Sequence, residues 1–146
     1  MKTLRLLPVI LAALFLTSCV GYEAKWNQSV ADYRAGKIKA PEGPWEGTWT
    51  TKTNGHTGDL RAIVSKAPDG EYDFHYHATW KKFLQGGYKV KFPAKRSGST
   101  YRVDGSKDLG IFGAFGHKAT ITPSRYEATY SNDKGDLGTF SMRRPE

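Results

Sequence analysis

The stretch Tyr72-Asp73-Phe74-His75-Tyr76-His77-Ala78-Thr79-Trp80 alternates apolar residues with polar ones. A period of two is typical of a β-strand that turns one face to a core and the other to solvent. The alternation recurs on both sides of this stretch, between turn residues such as Asn54-Gly55, Asp69-Gly70, Gly86-Gly87 and Asp104-Gly105. From Trp45 onward it predicts an all-β domain of about eight strands at a spacing of about 12 residues. A small antiparallel up-and-down barrel is the favoured arrangement, and a β-sandwich is the alternative.

The composition excludes several other classes of protein. The 146 residues include 22 Lys+Arg, 14 Asp+Glu, 16 glycines and one cysteine, with a net charge of +8. Residues 19–146 contain 18 aromatic residues but 13 Val, Ile and Leu, without a long apolar run. These features argue against a helical bundle, a disordered chain and a protein that spans a membrane with helices. One cysteine excludes an intrachain disulfide and a zinc site built from cysteines.

The N-terminal residues resemble the signal peptide of a bacterial lipoprotein. Lys2 and Arg5 precede an apolar stretch to Leu16, which is shorter than the roughly 20 residues that span a bilayer. Leu16-Thr17-Ser18-Cys19 resembles the lipobox of such proteins. The resemblance implies cleavage before Cys19, a diacylglycerol thioether on its thiol and an acyl group such as palmitate on its amine. An ordinary signal peptide followed by a free cysteine is the alternative.

The resemblance also implies where the protein resides. Val20, rather than Asp, follows Cys19, and among enterobacterial lipoproteins this favours the outer membrane, facing the periplasm, over the inner membrane. We therefore expect three segments: a signal peptide over 1–18, a lipidated tether over 19–44 and a β-barrel over 45–146. Trp26, Val30 and Tyr33 have the i, i+4, i+7 spacing of a short helix ending near Gly36. A solvated linker remains the alternative for the tether.

Two short motifs of the barrel resemble the calycins, the superfamily of lipocalins, fatty-acid-binding proteins and avidins. Gly47-Thr48-Trp49 on the first predicted strand is similar to their G-x-W motif, and Arg144 follows the last strand. In that superfamily the tryptophan closes one end of the barrel and packs against a basic residue of the last strand. The resemblance therefore implies a structural latch between Trp49 and Arg144.

Tyrosine is common at the alternate positions of the predicted strands that face the interior. An eight-stranded barrel is just wide enough to be filled by side chains or to hold one small ligand. Packing of the core is the simpler use of these rings, and binding of a small ligand is the alternative. The candidate ligand-binding residues are six tyrosines and one histidine of the same parity: Tyr72, Tyr76, Tyr88, Tyr101, Tyr126, Tyr130 and His117.

A basic surface is expected near the middle of the chain. Such a stripe is typical of proteins that bind nucleic acid, a membrane surface or a polyanion, although it also serves solubility. Export removes most of the case for nucleic acid, so an anionic lipid or envelope polymer is the expected partner. The residues are Lys89, Lys91, Lys95, Arg96, Arg102 and Lys107.

The sequence contains no motif that indicates catalysis. It has no G-x-S-x-G, no H-E-x-x-H and no phosphate-binding glycine loop. His75 and His77 have a spacing that can chelate a metal, but a solvated outer face is the simpler interpretation. We expect neither an enzyme, nor a metal site, nor a cofactor, and the sequence predicts no oligomeric state.

Three functions remain. The first is a non-catalytic, lipid-anchored envelope protein that binds an anionic envelope component through the basic surface. The second is a calycin-like carrier of a small ligand within the tyrosine-lined barrel. The third, inhibition of a host or competitor hydrolase, is disfavoured by the positive charge of this chain.

Overall fold

The structure is a computed structural model that describes residues 7–80, 84–108, 113–133 and 135–146. The first residues of the expected signal peptide, including Lys2 and Arg5, lie outside the described residues. Within these ranges, one helix precedes nine strands. Their bounds are α1 Leu7–Arg34, β1 Gly43–Thr51, β2 Thr57–Lys66, β3 Tyr72–Trp80, β4 Leu84–Phe92, β5 Ala94–Ser97, β6 Thr100–Asp108, β7 Ala114–Ile121, β8 Arg125–Asn132 and β9 Leu137–Arg143.

All nine strands form one antiparallel sheet that curls into a nearly closed barrel. The order β4-β3-β2-β1-β9-β8-β7-β6-β5 places each strand beside its neighbours in the chain, with β1 and β9 joining the two halves. Among the described residues, β4 and β5 end the sheet without pairing to each other. We call the gap between β4 and the β5–β6 pair the seam. The predicted all-β meander is confirmed, and it is a barrel rather than a sandwich.

Two predicted turns lie inside strands. Gly86-Gly87 belongs to β4 and Asp104-Gly105 belongs to β6, so these turn assignments were wrong. Packing explains why glycine occupies position 105 within a strand. A Cβ there would lie 2.2 Å from the ring of Phe92, which packs against Gly105 across the seam. The ninth strand, β5, was not predicted, and it forms a short hairpin with the start of β6.

Aromatic side chains fill the centre of the barrel. Trp45, Phe74, Tyr76 and Tyr126 are all fully buried, and their rings meet edge-on or stacked at centroid distances such as 5.7 Å between Trp45 and Tyr126. Each ring of this size buries 150–250 Å² on folding, roughly, which makes these residues the main source of hydrophobic stabilisation. The expected aromatic core therefore forms.

Arg144 closes the end of the barrel at which β1 begins and β9 ends. Its guanidinium lies 3.7 Å from the ring centroid of Trp45 and donates hydrogen bonds to the carbonyl oxygens of Pro44 and Glu42. Burial lowers the pKa of Arg144 to about 10. The expected partner, Trp49, instead donates its indole N–H to the carbonyl oxygen of Thr79.

The predicted latch was therefore assigned to the wrong tryptophan. β1 runs from the closed end towards the other end, which we call the mouth. Trp49 lies four residues, or about 13 Å, farther along β1 than Trp45. Residues of equal parity on a strand are about 6.6 Å apart for each step of two. The sequence gives both tryptophans the same parity, and only their height in the barrel decides which one meets Arg144.

The segment before the barrel is a helix docked on its outside. Tyr22, Trp26 and Ser29 are buried, with the spacing of one helical face. The helix ends at Arg34, and Gly36 adopts a left-handed φ of 71° just beyond it. The helical alternative for residues 26–33 is thus the one observed, and the solvated linker is not.

Candidate functional site

The centre of the barrel contains a polar cluster of three side chains from β3, β7 and β8. The hydroxyl oxygens of Tyr76 and Tyr126 lie 3.0 and 3.1 Å from Nε2 of His117 and also contact each other. All three residues are buried, and His117 is 1% exposed. The strands bring them together because all three have inward parity. We call these residues the core triad.

Burial keeps every member of the core triad uncharged. It lowers the pKa of His117 to about 4 and raises the pKa of both tyrosines well above the ordinary value of 10.0. In the described part of the chain, Nδ1 of His117 has no hydrogen-bond partner. A neutral, hydrogen-bonded network of this kind can hold side chains in place within a core.

The other predicted ligand-binding tyrosines flank the core triad at two heights. Tyr72 and Tyr101 pack edge-on near the closed end, with ring centroids 6.4 Å apart. Tyr88 and Tyr130 lie towards the mouth, where both contact Phe115. All the predicted residues thus face the interior. Whether they bind a ligand stays a prediction, but the rings pack against one another rather than around an open calyx.

A cavity of about 560 Å³ opens at the mouth. Trp49 forms part of its wall, and a Cβ at Gly58 would lie 2.6 Å from the indole nitrogen, so glycine makes room for this ring. Thr51 donates a hydrogen bond of 2.9 Å to Asp136 at the rim. The lining is mixed and open to solvent: Trp49, Thr51, Thr53, Asn54, His56, Ala78, Gly135 and Asp136.

The basic surface lies on both sides of the seam. All six of its residues are exposed. Lys95 on β5 is directly opposite Arg102 on β6, and Lys89 on β4 is opposite His75. Lys91 forms an ion pair of 3.0 Å with Asp69, whereas Arg96 lies over the ring of Tyr101. Residues 84–108 include six lysines and arginines but two aspartates.

His75 and His77 point outward as expected, but they are half-buried rather than fully solvated. Tyr22 of α1 stacks on His77 and meets His75 edge-on, each at a centroid distance of 4.8 Å. Burial lowers the pKa of both imidazoles, to about 4 for His75. At His75 the charges of Lys89 and Lys25 lower the pKa further. Sequence reasoning missed this contact, because Tyr22 falls outside the Trp26–Tyr33 spacing used to predict the helix.

Within the described ranges, no three His, Cys, Asp or Glu side chains are grouped so that they could hold a metal ion. In the same ranges, no helix is long and apolar enough to cross a membrane.

No family model matches the chain, and no curated protein matches it in sequence. The geometry of the barrel and its surface is therefore the basis for a functional proposal.

Proposed function

We propose that this protein is a non-catalytic, lipid-anchored protein of the bacterial cell envelope that binds an anionic envelope component through its basic surface. The observation that supports the surface role is the grouping of cations along the seam. Lys89, Lys95 and Arg102 are exposed, and no ion pair is found for them among the described residues. Phosphate-bearing headgroups or polymers are the complementary ligands that an envelope offers.

The register of the strands concentrates this charge. Lys95 and Arg102 form a directly opposed cross-strand pair, and two like charges in that position destabilise a sheet. A bound anion would relieve the repulsion between them. Part of the charge also has a structural use, because lysines on the end strand β4 discourage pairing with another chain. Lys95 on the other end strand, β5, can have the same use, but Arg102 on β6 lies inside the sheet.

The proposal of a lipid anchor is supported by Leu16-Thr17-Ser18-Cys19 and by the basic and apolar residues before it. Multiple acyl chains would hold the protein at a membrane far more firmly than one chain would. Val20 supports the outer membrane, facing the periplasm, as the proposed location.

The carrier function is the weaker proposal. A carrier needs interior volume, but the ring centroids of Phe74 and Tyr126 lie only 6.4 Å apart, and those of Tyr76 and Phe140 lie 5.4 Å apart. This packing supports a surface role over a ligand held deep inside. The mouth cavity remains the place where a small ligand would bind under this alternative.

Vesicle binding tests the surface role. Residues 20–146, purified without acyl chains, are titrated with vesicles containing phosphatidylglycerol or phosphatidylcholine alone, at low and high salt. We expect salt-sensitive binding to the anionic vesicles only. Lys89→Gln, Lys95→Gln and Arg102→Gln together should weaken it on the order of 100-fold, at about 1 kcal/mol for each charge near the surface.

A matched control removes three exposed cations from β7, β8 and β9, through Lys118→Gln, Arg125→Gln and Arg143→Gln. We expect this variant to lose far less affinity, although its net charge is the same. Equal weakening of the two variants would contradict a localised site. Acylation is tested separately, by incorporation of a labelled fatty acid that Cys19→Ala abolishes.

A further inference from the structure

Helix α1 crosses the outside of the barrel strand by strand. At its C-terminal end, Tyr33 lies beneath the guanidinium of Arg144, next to the start of β1. Two turns earlier, Trp26 lies against Arg61 of β2. Four residues before that, Tyr22 packs on β3, against His75 and His77. Read towards its N-terminus, the helix therefore passes from β1 to β2 to β3.

The next strand in that direction is β4. The sheet order places β4 beside β3, and the register pairs His75 with Lys89. Cys19 precedes Tyr22 by three residues, or about 4.5 Å along a helix. The proposed site of lipid attachment thus lies within one helical turn of a fixed contact, on the side of the barrel where the basic surface begins.

The docked helix cannot act as a loose tether. Tyr22 and Trp26 are each 5% exposed, and Glu23 forms an ion pair of 2.9 Å with Arg61. Acyl chains on Cys19 would therefore hold the barrel close to the bilayer and limit its orientations. Lys25 on the helix and Lys89 on β4 both lie close enough to His75 to lower its pKa. Two cations therefore lie on the side of the barrel where the acyl chains would be attached.

We infer that the barrel lies side-on against the membrane that holds its acyl chains, with Lys25, Lys89 and the adjacent seam cations in contact with anionic phospholipid headgroups. This inference rests on the proposed lipid anchor and identifies the partner of the basic surface as the headgroups of that same membrane. Complementary charge and the direction of α1 towards β4 select this occupant. A polymer or protein bound from the periplasmic side would need the surface to point away from the membrane.

Lysine footprinting of the lipidated protein tests the inference without any substitution. The protein is reconstituted into phosphatidylglycerol vesicles, acetylated briefly at its lysines and analysed by mass spectrometry. A micelle of neutral detergent is the reference state. We expect Lys25 and Lys89 to react at least about 3-fold more slowly on the vesicles, because bound headgroups shield them. Lys52 and Lys118, exposed elsewhere on the barrel, should keep their rates.

Two further measurements distinguish protection by headgroup charge from protection by the acyl anchor alone. On vesicles of phosphatidylcholine alone, the protection of Lys25 and Lys89 should disappear while flotation shows that the protein stays bound. Persisting protection there would overturn the role of headgroup charge, and equal rates at all four lysines on anionic vesicles would overturn the side-on orientation. Failure of the anchor is distinguishable, since a protein without acyl chains would not float with neutral vesicles at all.

Discussion

Two histidine sites of this protein have lowered imidazole pKa values although one is fully buried and the other is half-buried. His117 lies in the centre of the barrel, hydrogen-bonded to two tyrosines, and His75 lies on the outer surface beneath Tyr22. Burial lowers the pKa of each imidazole to about 4. The first site exists as soon as the sheet closes, whereas the second requires a separate helix to dock. The two imidazoles therefore have similar pKa values but owe them to different parts of the fold.

Removal of His117 should have the largest effect on stability. His117→Ala leaves a cavity and two buried hydroxyls without their shared partner. We expect a loss of about 3–5 kcal/mol in the free energy of unfolding, measured by urea denaturation. His75→Ala is the matched control on the outer face and should cost about 1 kcal/mol or less. Equal losses would show that the helix contributes as much as the core.

Acidification should destabilise the barrel through the same residue. The folded state keeps His117 neutral, with its pKa lowered from 6.5 to about 4 by burial. Below pH 6.5 the unfolded chain binds a proton that the folded barrel excludes, so the free energy of unfolding decreases as the pH falls towards 4. The full difference amounts to about 3 kcal/mol.

Urea denaturation between pH 7 and pH 4 measures this loss. A His117→Gln variant should show a flatter dependence over the same range, because glutamine does not titrate. If the slope of the variant equals that of the parent, other groups cause the acid sensitivity.

Arg144 connects the two regions, since it lies between Trp45 of the barrel and Tyr33 of the helix. Arg144→Ala removes two cation–π contacts and leaves the carbonyl oxygens of Glu42 and Pro44 without their donor. We expect a loss of about 2–3 kcal/mol, measured by thermal unfolding. Arg143→Ala, at the exposed neighbouring position, should change stability by less than about 0.5 kcal/mol.

The smallest global effect is expected from Tyr22→Ala, which affects only the outer site. The barrel should remain folded while the amides of residues 22–34 exchange hydrogen faster. The pKa of His75 should rise towards 6.5 once the ring that covers it is gone, as seen by NMR titration. The pKa of His117 is the internal control and should not move. A shift at both histidines would mean that the two sites are not independent.

The fold was largely predictable because strand periodicity is a local property. The alternation of residues 72–80 and its repeats predicted a meander, and the same parity placed His117 inside the barrel. Gly86-Gly87 and Asp104-Gly105 were misassigned because glycine is common both in turns and where neighbouring atoms leave no space for a Cβ. The role of Gly105 depends on Phe92, which packs against it across the seam but lies 13 residues away in the sequence.

The sequence by itself determined which residues face inward, because side chains alternate along every strand. It also determined the positive charge and the lipobox-like Leu16-Thr17-Ser18-Cys19. The tertiary structure decided which tryptophan meets Arg144, which rings surround His117 and where α1 docks. These contacts join residues far apart in the chain, and their distances depend on strand register and closure of the sheet, which no local pattern encodes.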